Sequence, residues 1–160
     1  MNRKTAWRRG RYATLDVRSS YYGIEYEINP WMSRARQSDP QRAQEQWNLL
    51  CRILSKELSV EILLIDPKPG LPDMVFTANA GLVWNDRFIA SNFRHEVRRR
   101  ETPYFTEWFR KQGFEIVHLP MEYYFEGEGD LLKCGRAVVR GLPYPFRSAR
   151  SPESRRDHRR

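Results

Sequence analysis

The sequence predicts an α/β chain built from a repeated ββαβ unit. Residues 81–119 read in order as strand, tight turn, strand, helix and strand. The same order then begins again, with the hairpin residues Arg87 and Arg136 standing 49 positions apart. A short polar stretch precedes each hairpin, LPDMVFTANAG at 71–81 and FEGEGD at 125–130. Together they bring Asp73, Asn79, Glu126, Glu128 and Asp130 to strand edges, and neither stretch carries a basic residue.

Ahead of the first unit, residues 1–11 are basic and expected to be flexible. Residues 12–17 (YATLDV) read as a strand. In the second half of YYGIEYEINP (21–30) the side chains alternate, with Ile24, Tyr26 and Ile28 on one side and Glu25, Glu27 and Asn29 on the other. Pro30 stops any regular pairing, and Trp31 with Met32 reads as an apolar plug. Asp39-Pro40 is a helix start, an N-cap followed by proline at the first helical position. Ala43, Trp47, Leu50, Leu54 and Leu58 recur at helical spacing, which predicts a helix over 40–58 with that face buried and Cys51 beside it.

VEILLI (60–65) reads as a buried strand, and PKPGLP turns the chain into the first polar stretch. Asn85-Asp86 suits a tight hairpin between strands 81–85 and 87–91. Residues 94–101 are strongly basic and read as a loop. Thr102-Pro103 is expected to cap a helix that carries Tyr104, Phe105, Trp108 and Phe109 and ends at the C-cap glycine Gly113. FEIVHL (114–119) is the closing strand.

In the second copy, residues 130–132, a Cys134-Gly135 turn and residues 136–140 form the hairpin. Phe146-Arg147 parallels Phe93-Arg94, and Ser151-Pro152 parallels Thr102-Pro103. Only eight residues follow Pro152, and RRDHRR has no apolar stripe to bury, so 154–160 reads as a disordered basic tail. The second unit is therefore expected to stop one helix and one strand short, leaving a hairpin with an uncovered face.

At 160 residues the chain suits one domain, or a piece of a larger one, and 40% hydrophobic with 13% aromatic content is enough for a core. No apolar run of about 18 residues exists, so no membrane span is expected. No apolar stretch follows the basic N-terminus, which excludes a secretory signal; the absence of acids before Asp16 is the only support for a mitochondrial presequence.

The net charge of +8 lies at the ends. Residues 1–18 hold six basic groups and one acid, residues 147–160 hold six and two, and the stretch between them is slightly acidic. That distribution reads as solvated tails rather than a specific nucleic-acid surface, though weak salt-dependent adhesion to polyanions is compatible with it. Two cysteines without a CxxC or a histidine cluster predict neither a disulfide framework nor a zinc site, and they suit a reducing, cytoplasmic setting.

A cluster of acids with an amide suits a guanidinium, which is planar, always charged and bound bidentately by carboxylates. Cleaving a C–N bond of such a group also needs a nucleophile and an acid/base, usually a cysteine and a histidine. Here Cys51 sits on a helix face, Cys134 in a turn, His95 in a basic loop and His158 in the tail, while His118 ends a strand and is expected to pack. Glu126, Glu128 and Asp130 suit a solvated turn equally well when taken alone. Tyr123, Tyr124 and Phe125 read as core before they read as the wall of a site.

EYEINPWM (25–32), LPDMVFTANAGLV (71–83), NFRHEVRRRE (92–101) and FEGEGDLL (125–132) resemble the amidinotransferase/dimethylarginine dimethylaminohydrolase group of the pentein superfamily, near bacterial arginine dihydrolases. The resemblance covers about residues 12–153. It implies a propeller-like α+β pentein fold, with five ββαβ units around a central site, of which this chain holds the N-terminal half.

It further implies hydrolysis of arginine or an N-methylated arginine, a linear amidine, through a cysteine thiouronium intermediate, with no metal or organic cofactor. On matching positions, Glu126 becomes the catalytic acid, with Glu128 the alternative should the register differ. Asn29, Asp73, Asn79, Arg98 and Asp130 become substrate-lining residues, and Arg147 meets the substrate carboxylate.

Many relatives have Asp where Asn79 stands, while the dihydrolase branch has Asn. The family's catalytic His and Cys lie in later units without a counterpart here, so the chain is expected to be truncated and by itself inactive. A non-catalytic guanidinium-binding protein and an amidinotransferase are the alternatives. The expected partner is a small guanidine, with no specific nucleic acid and no membrane, and homo-oligomers remain compatible.

Overall fold

The computed structural model describes residues 13–134 and 137–140. Strand β1 (Ala13–Val17) pairs in parallel with β2 (Glu61–Ile65), in a register running from Ala13 opposite Glu61 to Val17 opposite Ile65. A parallel pair cannot be joined by a tight turn. Here the crossover is helix α1 (Pro40–Arg52), extended by a π-helical turn over Ile53–Glu57. Asp39 caps α1, its carboxylate accepting from the Arg42 N–H at 3.1 Å, with Pro40 in the first turn.

The next unit is complete. Strands β3 (Gly81–Trp84) and β4 (Arg87–Ala90) form an antiparallel hairpin, turned through Asn85 at φ 55. A left-handed backbone suits asparagine there. A short helix α2 (Glu96–Arg99) and helix α3 (Thr102–Lys111) then carry the chain to β5 (Glu115–His118), which pairs in parallel with β4. Gly113 ends α3 at φ 85, the left-handed position that glycine fills without strain.

The order β3-β4-β5 is the ββαβ unit expected from the sequence. A second hairpin follows, β6 (Leu131–Cys134) against β7 (Ala137–Arg140). The turns Thr77–Asn79 and Gly127–Gly129, the strands β3 and β6, and the strands β4 and β7 each start 50 residues apart. The spacing is one more than the arginines suggest, because Cys134 is the last residue of β6 and not part of the turn.

The core lies between the inner faces of the two parallel pairings. Leu15, Val17, Leu63 and Ile65 come from β1 and β2, Phe88 and Ala90 from β4, and Phe105, Phe109 and Phe114 from α3 and its exit. Phe88 and Phe109 stack with ring centroids 3.7 Å apart and planes 11° from parallel. Trp108 ties the layers together by donating its indole N–H to the Leu64 carbonyl at 3.2 Å. No helix among the described residues is long and apolar enough to cross a membrane.

Several local expectations do not hold. The alternating stretch 21–30 is not a strand. It runs into a loop held by its own side chains: Glu27 accepts from Arg34 N–H at 2.7 Å, and Gln37 bonds both the N–H and the carbonyl of Ile24. Trp31 is 78% exposed and plugs nothing. Helix α1 has no buried residue, and Leu50 and Leu58 are 49% and 60% exposed. Helical spacing predicts an apolar face, but only a neighbouring layer can bury it.

The basic stretch expected to loop contains α2. Thr102 lies within α3, where its hydroxyl donates to Ser91 O, so it does not cap the helix. Tyr123, Tyr124 and His118 are exposed, while Phe125 is buried. The N-terminus, Arg147, Phe146, the 151–153 helix start and the tail lie outside the described residues.

Truncating Phe109 to alanine should cost about 3–5 kcal/mol, the usual penalty for emptying a buried phenylalanine site. Leu50→Ala, at the position that periodicity places in the core, should cost under about 1 kcal/mol because its side chain is half exposed. Paired denaturant titrations of the two variants check this contrast.

Candidate functional site

The two polar stretches fold into 3₁₀ turns that pack backbone to backbone at the head of their hairpins. The first stretch forms Pro72–Val75 and Thr77–Asn79; the second forms Gly127–Gly129. The five polar residues expected at strand edges thus lie in or beside these turns.

The contact is close at Gly127, which takes φ 64; a Cβ there would collide with the Ala78 carbonyl and lie 2.9 Å from both N and O of Gly81. The side chains reinforce it. Asn79 donates its amide N–H to Glu126 O at 3.3 Å. Asn92 pairs with Phe125 through backbone bonds of 2.9 and 3.0 Å and donates its amide to Met121 O and Tyr123 O. Thr77 fastens the first turn to β1 through a 3.0 Å bond to Leu15 O.

These turns floor a cleft of about 990 Å³. Asn29, Asp73, Asn79, Arg98, Glu126 and Asp130, all singled out from the sequence, line it together with His95 and Arg94. Tyr22, Trp31, Phe76, Tyr123 and Tyr124 give it an aromatic wall. Glu128 is exposed and does not line the cleft, and Arg147 lies outside the described residues.

The lining residues differ in what they have left to offer. Asn29 accepts from the N–H groups of Trp31 and Met32, and so shapes its own loop. Asp130 accepts the Glu126 N–H at 2.7 Å and closes the 3₁₀ turn. Asp73 is 4% exposed, with its carboxylate 3.7 Å from Arg98 Nε. Glu126 is half-buried, and its carboxylate has no hydrogen bond or ion pair among the described residues.

Beneath the turns lies a buried ion pair whose carboxylate, Glu101, the sequence reading left unassigned. Arg98 forks onto Glu101 with bonds of 3.0 and 2.9 Å, and Glu101 is fully buried. Burial pushes the Glu101 carboxyl up, against the Arg98 charge that pulls it down. Burial likewise pulls Arg98 down, but Glu101, Asp73 and Glu126 outweigh it and hold the guanidinium above its ordinary value. The Tyr26 hydroxyl lies against the Asp73 carboxylate outside good hydrogen-bond geometry; burial first, then the Asp73 charge, raise its pKa. The spacing of Arg98 and Glu101, three apart, is the signal that could have turned the basic loop into a helix with a paired arginine.

Cys51 does not approach the cleft. Its thiol faces Asp16 Oδ2 at 3.8 Å, and burial, then the Asp16 charge, push its pKa up, the opposite of an activated thiolate.

Fold and cleft define the class: the chain shares partial, N-terminal homology with the arginine dihydrolases and dimethylarginine dimethylaminohydrolases of the pentein/amidinotransferase group. In particular, it is 45% identical over 131 residues to the bifunctional arginine dihydrolase/ornithine cyclodeaminase AgrE of Nostoc sp., covering 80% of this chain and 18% of that protein. It is 36% identical over 129 residues to the dimethylarginine dimethylaminohydrolase of Mycobacterium tuberculosis, covering 81% of this chain and 41% of that protein.

The crystal structure of the cyanobacterial arginine dihydrolase ArgZ superposes with a TM-score of 0.76 at 40% identity, over 81% of this chain and 20% of that one. The chain therefore spans less than half the length of these relatives. No protein-family model matches it.

Gly127→Ala should destabilise the chain by about 1–3 kcal/mol from backbone strain alone, with the clash on Ala78 added. Gly129→Ala, at a position without positive φ, should cost less. Thermal unfolding of the two variants side by side tests whether the turns depend on that contact.

Proposed function

We propose that this chain forms the ligand-holding part of a hydrolase that cleaves a C–N bond in a linear amidine, arginine or an N-methylated arginine. The observation that carries this reading is the Glu126 carboxylate, half-buried in the cleft and unengaged among the described residues. Asp73 and Asp130, the other lining acids, already face internal partners. A half-buried carboxylate without a partner is costly, and a guanidinium offers the planar pair of donors that would relieve it.

The relatives support the ligand class: AgrE has been crystallised with L-arginine, and the N-terminal domain of ArgZ with its substrate. In the complete enzyme, a cysteine attacks the amidine carbon, an acid/base protonates the departing amine, and water then displaces the thiol from the thiouronium carbon, while Glu126 holds the guanidinium and orients that acid/base. The wider pentein arrangement of five units around one site is part of the same proposal.

A second reading, a guanidinium-binding protein without turnover, is favoured by one observation. Among the described residues no cysteine lines the cleft, and His95 there has no thiol beside it. The two readings share the binding step.

Calorimetric titration of the 160-residue chain with L-arginine should show binding that falls at least about tenfold on Glu126→Gln, as expected for loss of a charged hydrogen-bonded contact. Incubation with arginine or dimethylarginine should yield no citrulline from this chain alone. Absence of binding sinks the ligand class, and citrulline formation sinks the division between holding and reacting parts.

A further inference from the structure

The chain leaves β5 at His118 and enters the second polar turn at Glu126. Between the two it belongs to no strand, so its backbone groups need partners from elsewhere. The segment supplies a turn bond of its own, from the Tyr123 N–H to the Pro120 carbonyl at 3.0 Å. Asn92, just past the end of β4, supplies the rest of the tie. Its backbone N–H donates to the Phe125 carbonyl at 2.9 Å, and its carbonyl accepts the Phe125 N–H at 3.0 Å. Its side-chain amide donates to the Met121 carbonyl at 3.2 Å and to the Tyr123 carbonyl at 2.9 Å. Both N–H groups of that amide are thus committed. Both partners are carbonyls, so the nitrogen has to face them. A carboxylate has no donor and a hydroxyl has one, so neither could hold both.

We infer that Asn92 is a positioning residue: by clamping the crossing segment 121–125 it sets where the Glu126 carboxylate stands in the cleft. Asn92 itself does not line the cleft. Glu126 follows directly on the clamp, since its neighbour Phe125 is buried and tied to Asn92 through both backbone groups. On the other side the second turn takes over, with Asp130 accepting the Glu126 N–H and Asn79 donating to the Glu126 carbonyl. The backbone of Glu126 is therefore held from both directions, while its carboxylate has no partner among the described residues. A fixed backbone under an unengaged carboxylate is what a preset ligand contact requires.

This inference rests on the proposed guanidinium site, and the test separates the two. L-arginine is titrated into four forms of the chain: unaltered, Asn92→Ala, Glu126→Gln and the double variant. Asn92→Ala should weaken binding about fivefold or more, as expected for two lost hydrogen bonds and two carbonyls left without donors. If Asn92 acts through Glu126, the same substitution should change affinity by less than about twofold when residue 126 is already glutamine. An equal loss in both backgrounds would mean that Asn92 acts through the aromatic wall or through the fold at large, and would overturn the inference. Should Asn92→Ala fail to fold, Asn92→Ser, which keeps one donor, enters the same cycle with the same two outcomes.

A second arm needs no ligand. Amide hydrogen exchange in Asn92→Ala should quicken at Phe125 and Glu126 by about fivefold or more, and stay unchanged at Phe88 in the central strand β4. No change at Phe125 and Glu126, or an equal change at Phe88, also overturns the inference. If the unaltered chain does not bind L-arginine, the proposed function fails, and the exchange rates alone decide the role of Asn92.

Discussion

The arrangement depends on one buried ion pair. Burying a guanidinium and a carboxylate is expensive, and the pair holds only if its geometry is close and its remaining hydrogen-bonding groups are satisfied. Arg98 and Glu101 meet the first condition, and four of the five guanidinium N–H groups meet the second. The fork between them is bidentate, and the arginine's remaining bonds reach the Asp73 carbonyl and the Asn79 side chain. Breaking such a pair leaves a buried charge uncompensated, so the first polar turn, α2 and the start of α3 are tied to one geometry. The cleft inherits its shape from that tie.

The second constraint is the approach of two successive repeat units. A ββαβ unit has one hairpin and one parallel strand, and the segment linking it to the next unit must cross its edge. Here that segment is a 3₁₀ turn in both copies, and the two turns meet at Gly127, where no side chain fits. Repetition brings equivalent turns side by side, and their polar residues converge. Divergence in sequence then gives them different tasks. Asp73 pairs internally, Asn79 bridges the two turns, Asp130 closes its own turn, and Glu126 is left facing the cleft.

Much of this is legible in residue order. Strands β2 to β5, the caps at Asp39 and Gly113, and the hairpin at Asn85 follow from local rules that need only neighbouring residues. The cleft residues are legible because two similar motifs recur at a fixed distance. Other features are not, for definite reasons. Periodicity in α1 shows an apolar face but not whether anything covers it. Alternation at 24–28 suggests a strand, but side-chain bonds from Glu27, Asn29 and Gln37 to nearby backbone outcompete a sheet ladder. A run of arginines reads as solvated, and the three-residue spacing of Arg98 and Glu101 signals a pair but not its burial.

The sequence by itself determined the unit: its strands, its helix, its turn residues and its repetition, because these rest on backbone preferences and on spacing along the chain. It also determined which residues could meet a guanidinium, since charge and hydrogen-bonding capacity belong to the residue. The tertiary structure decided which of them remain free to do so. Burial, the direction of Arg98 and the meeting of the two turns depend on contacts between Asn79, Arg98 and Glu126, which are far apart in sequence. Those contacts commit most of the polar groups to one another and leave Glu126 as the exception among the lining acids of the described residues.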